Sequence, residues 1–481
     1  MAAGTYRLLI GGEWVAGEGG EYPIVNPATE TVVGYAPEAS VGQARAAAAA
    51  AKEAAPGWAA TSVGERAALL DAAAARILER RRDLVPIVQA ETGATLTLTK
   101  AMQVPFCAHR LTRNADLARS MADTPLPPQA TRDGISGALA HRQPVGAVAC
   151  VTSYNFPMTN MAGKIGPALA TGNTVLIKPA PQDPLGVIEI ARILDEVGFP
   201  PGVVNVVTAS GPEPAAAACA ADDIDMVSFT GSTAVGQSIY SAAAPTMKRL
   251  LLELGGKSAN IVFDDADLAR AVRGSASVWT FHSGQICIAP TRLYVQEGVY
   301  DTVVEQMTVF AKALTVGDPL DPKTVVGPVI TSLHRDRVEN HIANAEADGA
   351  DLVAGGGRPA DLERGFYVEP TLFANGANSM RIARDEVFGP VIVAIPFEDE
   401  DEAVALANDN DFGLHGYVWT RDGERAMRVA KSLRTGSVAI NGGTQQNPDA
   451  PFGGFKMSGV GRDGGRYGLE AYTELQAITW L

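Results

Sequence analysis

Cysteine is scarce in this chain of 481 residues: there are four, Cys107, Cys150, Cys219 and Cys287, and none stands at a close pairing or metal-binding spacing. That scarcity excludes a disulfide-stapled scaffold and predicts a reducing, cytoplasmic setting. Histidine is nearly as sparse, with six residues, none in a helical metal-binding pattern, so no catalytic metal is expected. Long apolar runs are missing as well. None reaches the ~18 residues of a membrane span. The alanine run 46–51 is closed by Lys52 and Glu53, and the first fifteen residues lack the basic flank and apolar core of a signal peptide. Positive charge is in deficit: 39 Lys+Arg against 54 Asp+Glu leave a net charge of −15, which argues against nucleic acid or an anionic membrane as a partner.

A hydrophobic content of 46% over this length is enough for two or three domains, each with its own core. Helical patterns run over 41–55 and again from Ser62, where Ser62 and Glu65 have the spacing of a capping box. Pro86 is expected to break or kink that second helix, with Asp83 capping a further turn. Pro125, Pro127, Pro128 and Asp133-Gly134 mark a hairpin or arm between Ala118 and Ala140. From Ala147 onward, apolar β-runs at 147–151, 174–177, 203–207 and 226–229 alternate with helical stretches, and a second alternation runs from Ala259 to about Leu433. The fold class is therefore α/β, with two parallel sheets covered by helices and ligands bound beyond the carboxyl ends of the strands.

The chemistry is expected in Phe281-His282-Ser283-Gly284-Gln285-Ile286-Cys287, where one cysteine lies among small and polar residues. A thiolate attacks carbonyl carbon well, and Gly284 would let the backbone approach a substrate closely. Glu253 ends the apolar run Leu250-Leu251-Leu252 and precedes Gly255-Gly256, a desolvating position that raises a carboxyl toward the range of a general base. Asn155-Phe156-Pro157 is a strand-to-helix turn, and Thr230-Gly231-Ser232 opens a helix whose N–H groups suit a pyrophosphate.

Taken in order, Tyr154-Asn155-Phe156-Pro157, Glu253-Leu254-Gly255-Gly256-Lys257, Gly284-Gln285-Ile286-Cys287, Glu386-Val387-Phe388-Gly389-Pro390 and Pro451-Phe452-Gly453-Gly454-Phe455 resemble the aldehyde dehydrogenase superfamily along essentially the whole chain. The resemblance implies an NAD(P)-dependent enzyme oxidising an aldehyde to a carboxylate, with NAD preferred and NADP tolerated. Cys287 would be the nucleophile, Asn155 the oxyanion donor and Glu253 the base that activates the deacylating water, with Lys164 in support. Lys178, Pro181, Thr230, Gly231, Ser232, Glu386 and Phe388 would hold the cofactor. Pro181 stands where many NAD-dependent relatives carry a Glu on the ribose, so discrimination against NADP should be weak. Tyr154, Phe156, Met158, Phe281 and Phe452 would line the substrate tunnel. Gly163 stands where relatives acting on succinic semialdehyde carry an Arg, which points to an uncharged apolar or aromatic aldehyde. His282 replaces a common Asn and is expected to touch no catalytic role, while Arg462 and Glu474 match interface ion-pair positions.

The same resemblance divides the chain into a cofactor domain (1–117 and 140–252), a catalytic domain (253–433) and an arm with a C-terminal segment (118–139 and 434–481). The arm and the run 472–480 would build a homodimer or homotetramer. Two other readings remain: an acylating relative using coenzyme A, against which Glu253 argues, and a silent member acting as a binding protein, against which the trio Cys287, Asn155 and Glu253 argues.

Overall fold

The structure is a computed structural model that describes residues 6–442 and 447–481. The first helix, Val41–Ala59, is capped by Ser40. The second, Val63–Glu79, is capped by Ser62 with Glu65 returning to the cap, the box the spacing predicted. It buries Ala67, Leu70, Ala74 and Ile77, one face at helical spacing, in the same core as Val104, Ala108 and Leu111 of the helix Val104–Ser120. Pro86 does not end this helix. The chain turns at Arg80, and Pro86 lies inside the next helix, Arg81–Thr92, whose cap residue is Arg80 rather than Asp83. The lost N–H is a local cost that the buried Leu84, Val85 and Val88 outweigh.

Two large sheets follow. In the first, Val204–Val206, Thr174–Lys178, Ala147–Val151, Met226–Thr230 and Arg249–Glu253 lie side by side and parallel, with short antiparallel strands at both edges. The central strands Ala147–Val151 and Thr174–Lys178 are buried along their whole length, as a sheet covered on both faces requires. The second sheet orders Asp351–Ala354, Thr371–Ala374, Val391–Phe397, Arg292–Gln296, Ala259–Val262, His415–Trp419 and Ser437–Ile440, parallel except at its first edge. Both carry their own cores.

A third sheet is separate. Its hairpin, Thr124–Thr131 and Gly134–Pro144, takes the C-terminal strand Thr473–Trp480 on its outer edge. Three segments fall outside their expected places: the hairpin reaches Pro144, Ser437–Ile440 joins the second sheet, and Gly459–Val460 extends the first. Edge strands as short as Ser437–Ile440 and Gly459–Val460 carry too little periodicity to be assigned from sequence. Glu474 pairs with Arg249 at 2.5 Å, and Arg462 donates to the carbonyls of Gly454 and Gly461. No helix among the described residues is long and apolar enough to cross a membrane.

Candidate active site

Strand register brings the candidate residues to one edge. Val151 lies beside Lys178 on one side and Phe229 on the other, and Thr230 lies beside Glu253. After Ala147–Val151 the chain adds two strands on one side and then returns to add two on the other, so a crevice opens above this strand. Asn155, Lys178 with Pro181, Thr230-Gly231-Ser232 and Glu253 all emerge along that edge.

Cys287 comes from the second unit. It is half-buried, whereas Cys107, Cys150 and Cys219 are fully buried, and so it alone of the four can meet a substrate. The approach to it is strained: His282, Ser283 and Gly284 all have left-handed φ, at 49°, 57° and 73°. Several bonds hold that shape. Ser283 donates to the Gly327 carbonyl at 2.8 Å, and the Gln285 side chain accepts from Ile330 N–H at 3.0 Å. A Cβ on Gly284 would overlap the backbone of Gly389, so this glycine admits the Glu386–Pro390 loop and not, as expected, a substrate. Asn155 ties the two units together by donating its amide to the Gln285 carbonyl at 2.9 Å. Its side-chain oxygen is fixed by Ser153, which leaves the second amide hydrogen without an acceptor among the described residues. Burial pushes the Cys287 thiol up to about 12, and the carboxyls of Glu386 and Glu253 add to that.

Glu253 is buried with neither carboxyl oxygen hydrogen-bonded among the described residues. Desolvation holds it well above the usual carboxylate range, Asp463 pushes the same way, and Lys164, Arg462 and Arg110 oppose. Lys164 is buried too and donates to Ser228 at 3.3 Å, which shares a hydrogen bond with Tyr472. Burial lowers its ammonium, while Asp463 and Glu253 work in the other direction. Asp463 exchanges two backbone hydrogen bonds with Phe452. It lies 210 positions beyond Glu253 in a glycine-rich run, and no local pattern in the sequence marks it.

The expected cofactor residues form two groups. Lys178 is buried and held near 8 by desolvation, its amine bound only to the Pro179 carbonyl among the described residues, so two N–H donors remain. Ser232 caps the helix Thr233–Ala243, whose first turn is accessible, and Pro181 is half-buried nearby on the loop after Lys178. Across the crevice one oxygen of Glu386 accepts from Gly256 N–H at 3.0 Å and the other makes no hydrogen bond among the described residues; burial holds this carboxyl near 7. Phe388 has φ 55°, and its carbonyl accepts from His334 at 2.7 Å. A helix N-terminus, a buried amine with spare donors and a carboxylate with a spare oxygen suit pyrophosphate and ribose hydroxyls, so the residues fit a nicotinamide dinucleotide.

The expected tunnel residues divide. Phe156 stacks on Phe281 with ring centroids 6.2 Å apart, both half-buried beside Ile288 and His282. Phe452 adjoins Glu253 through Gly453. Met158 does not line a tunnel: it has no exposed surface and lies in the first core, because its place on the helix Pro157–Ala170 faces Gly186. Tyr154 also lies elsewhere, edge-on to Phe388 at 5.8 Å and beside His334 at 6.0 Å, on the Glu386 side. His282 is closer to the chemistry than expected. Its ring packs on Phe156 at 5.4 Å, and burial holds it near 4, neutral, against the smaller opposing pull of the Asn155 backbone. Over Gly163, the missing side chain is replaced: an added Cβ would overlap Nη1 of Arg110.

This arrangement is that of a cysteine-dependent aldehyde oxidoreductase, and comparison with known proteins agrees. Residues 14–478 match the model of the aldehyde dehydrogenase family, to which the chain belongs. It is 40% identical to 3-succinoylsemialdehyde-pyridine dehydrogenase of a Pseudomonas species over 98% of both chains, and 36% identical to the chloroplastic betaine aldehyde dehydrogenase of Beta vulgaris over 100% and 97%. Betaine aldehyde dehydrogenase from Staphylococcus aureus, solved in complex with NAD+, superposes with a TM-score of 0.96 at 36% identity, covering 99% of this chain and 95% of that one. The protein is an NAD(P)-dependent, non-acylating aldehyde dehydrogenase that oxidises an aldehyde to a carboxylate through a catalytic cysteine.

Proposed function

We propose that Cys287 is that cysteine, and the observation that carries the reading is its position: the one accessible thiol of four, on a strained loop tied to Asn155 and within electrostatic reach of Glu253. Its sulfur adds to the aldehyde carbon while the thiol proton passes to solvent or to Glu253. The free amide hydrogen of Asn155, with the Cys287 backbone N–H, steadies the oxygen that becomes negative. Such a donor is typically worth roughly 3–4 kcal/mol of barrier. When bound, NAD(P) supplies the acceptor for the hydride that leaves the former aldehyde carbon, which leaves a thioester on Cys287. Glu253 then takes a proton from water, the water oxygen bonds to the acyl carbon, and the thiolate leaves with a carboxylate as the second product. A raised carboxyl pKa makes Glu253 a stronger base once ionised.

Lys178, the turn Thr230-Gly231-Ser232, Glu386 and Phe388 hold the dinucleotide in this reading, with NAD the preferred form and Pro181 leaving NADP admissible. Phe156, Phe281 and Phe452 favour an aldehyde with an apolar or aromatic body. The relatives are named for betaine aldehyde and for a pyridine semialdehyde, two unlike bodies, so the walls rather than the names support this choice. The first sheet's unit binds the cofactor and the second carries Cys287. Leu126, Ile135, Leu475, Ile478 and Trp480 leave the third sheet with an exposed apolar surface, which supports a homodimer or homotetramer, while four free cysteines support a reducing, cytoplasmic setting.

The test follows absorbance of reduced cofactor on mixing the protein with NAD and a benzaldehyde or hexanal. Turnover should appear in the wild type and vanish in Cys287→Ala. Equal rates in the two proteins would remove Cys287 from the reaction.

A further inference from the structure

Gly163 lies on the helix Pro157–Ala170, immediately before Lys164, and the space its side chain would fill is taken by a guanidinium from the neighbouring helix Val104–Ser120. That group is Arg110, and the nearest atom outside it to the same point is a carboxyl oxygen of Asp463 at 3.4 Å. Asp463 is bonded through its backbone to Phe452, and a Cβ on the following Gly453 would stand 3.1 Å from the Glu253 carboxyl. Arg110 therefore lies on the side of the site walled by Phe452, and its charge is felt by both Glu253 and Lys164.

No N–H of the Arg110 guanidinium makes a hydrogen bond among the described residues, and 38% of the side chain is exposed. Its ion pair with Asp463 is long, 3.7 Å, and Asp463 already accepts from Gly464 N–H at 2.7 Å. One turn on, Arg113 is by contrast bound through two nitrogens to Asp449. Arg110 thus offers a planar fork of donors, unpaired among the described residues, that a carboxylate can meet with two parallel hydrogen bonds. An alkyl or bare aromatic terminus would instead strip water from those donors and return nothing, a cost rather than a gain.

We infer that Arg110, in the space left by Gly163, binds an anionic carboxylate at the far end of the substrate, so that the preferred aldehyde joins an apolar or aromatic body to a distal carboxylate. This rests on the Cys287 reading above and departs from the expectation of an uncharged substrate. Gly163 carries no Arg of its own, but a second helix delivers a guanidinium to the same place.

Matched pairs test it: 4-carboxybenzaldehyde against 4-methylbenzaldehyde, and 6-oxohexanoate against hexanal, each by kcat/KM with NAD. In the wild type the carboxylated member should lead by about 10- to 100-fold, and the lead should shrink as salt is added. Arg110→Met should bring the ratio close to one, and Arg110→Lys, which keeps the charge and loses the fork, should fall between. Gly163→Ala keeps the arginine in the chain but displaces its tip, so it should also lower the ratio, and it covers the case in which an Arg110 variant fails to fold. A wild type that favours the uncharged members, or a ratio unmoved in all three variants, overturns the inference while leaving the enzyme reading intact. No reduced cofactor with any of the four aldehydes would instead sink the enzyme reading itself.

Discussion

Replacing Glu253 by glutamine isolates one step of the reaction. The carboxyl is buried and neither oxygen has a hydrogen-bond partner among the described residues, so an amide of the same size enters without breaking a bond. Its NH₂ would lack an acceptor, at about 1–3 kcal/mol, partly offset because no carboxyl remains to be desolvated; the melting temperature should fall by no more than about a few degrees. The effect on turnover should be larger. Loss of a positioned general base removes about 10²–10⁴ of rate, all of it in deacylation if Glu253 serves the water. Rapid mixing with NAD and substrate should then give a burst of reduced cofactor near one per active subunit, followed by slow turnover as the thioester accumulates on Cys287. Because burial raises the Cys287 thiol to about 12, the burst should grow as pH rises. Steady turnover of the wild type should also rise with pH as Glu253, itself held above the carboxylate range, ionises, and the variant should lose that dependence. Intact-protein mass spectrometry should detect the acyl mass, and hydroxylamine should remove it. Turnover at the wild-type rate, or no acyl adduct at any pH, would refute the assignment of Glu253 to deacylation.

Asn155→Ala removes both the oxyanion donor and the tie to the Gln285 carbonyl, and kcat should drop by roughly 10²–10³ with a smaller change in KM; a drop under threefold would discard the oxyanion role. Pro181→Glu should bind a ribose 2′-hydroxyl and repel a 2′-phosphate, raising the NAD over NADP ratio of kcat/KM; a wild type that already rejects NADP by about four orders of magnitude would show that another residue sets the choice. Glu91 is buried, accepts from the backbone N–H groups of Leu185 and Gly186 at 2.7 and 2.8 Å, and is raised by desolvation to about 8. A raised carboxyl contributes stability that is complete below its ordinary value of 4.5 and is lost as pH climbs through about 8. The melting temperature should therefore fall between about pH 5 and pH 8, and Glu91→Gln should flatten that fall; equal slopes in the two proteins would show that other groups carry it.

Much of the architecture was legible in the chain. Ala147–Val151 and Thr174–Lys178 read as buried parallel strands because all their residues but Thr174 and Lys178, at the two ends of the second, are apolar, and Ser62 with Glu65 announced a helix start. Spacing also marked the four stretches at the sheet edge, since each follows a strand whose end the apolar pattern locates. Pro86 was misplaced because a helix tolerates one missing N–H when its apolar face is buried, which propensity does not register. The side chains around the reacting group were less legible. Met158 and Phe156 stand two apart on one turn, yet one is in the core and the other packs with Ile286 and Ile288, the neighbours of Cys287, a division made by which neighbour each side chain meets.

By itself the sequence determined the alternation of strands and helices, the order of the motifs and the residue types offered to the chemistry, because those depend on neighbours a few positions away. Only tertiary structure decided that Tyr154 sits with Phe388, that Asp463 presses on Glu253 from 210 residues downstream, and that Arg110 occupies the room above Gly163. The physical reason is that such contacts are set by the packing of one element on another. A missing side chain on one helix has meaning only once the helix that fills its space is known.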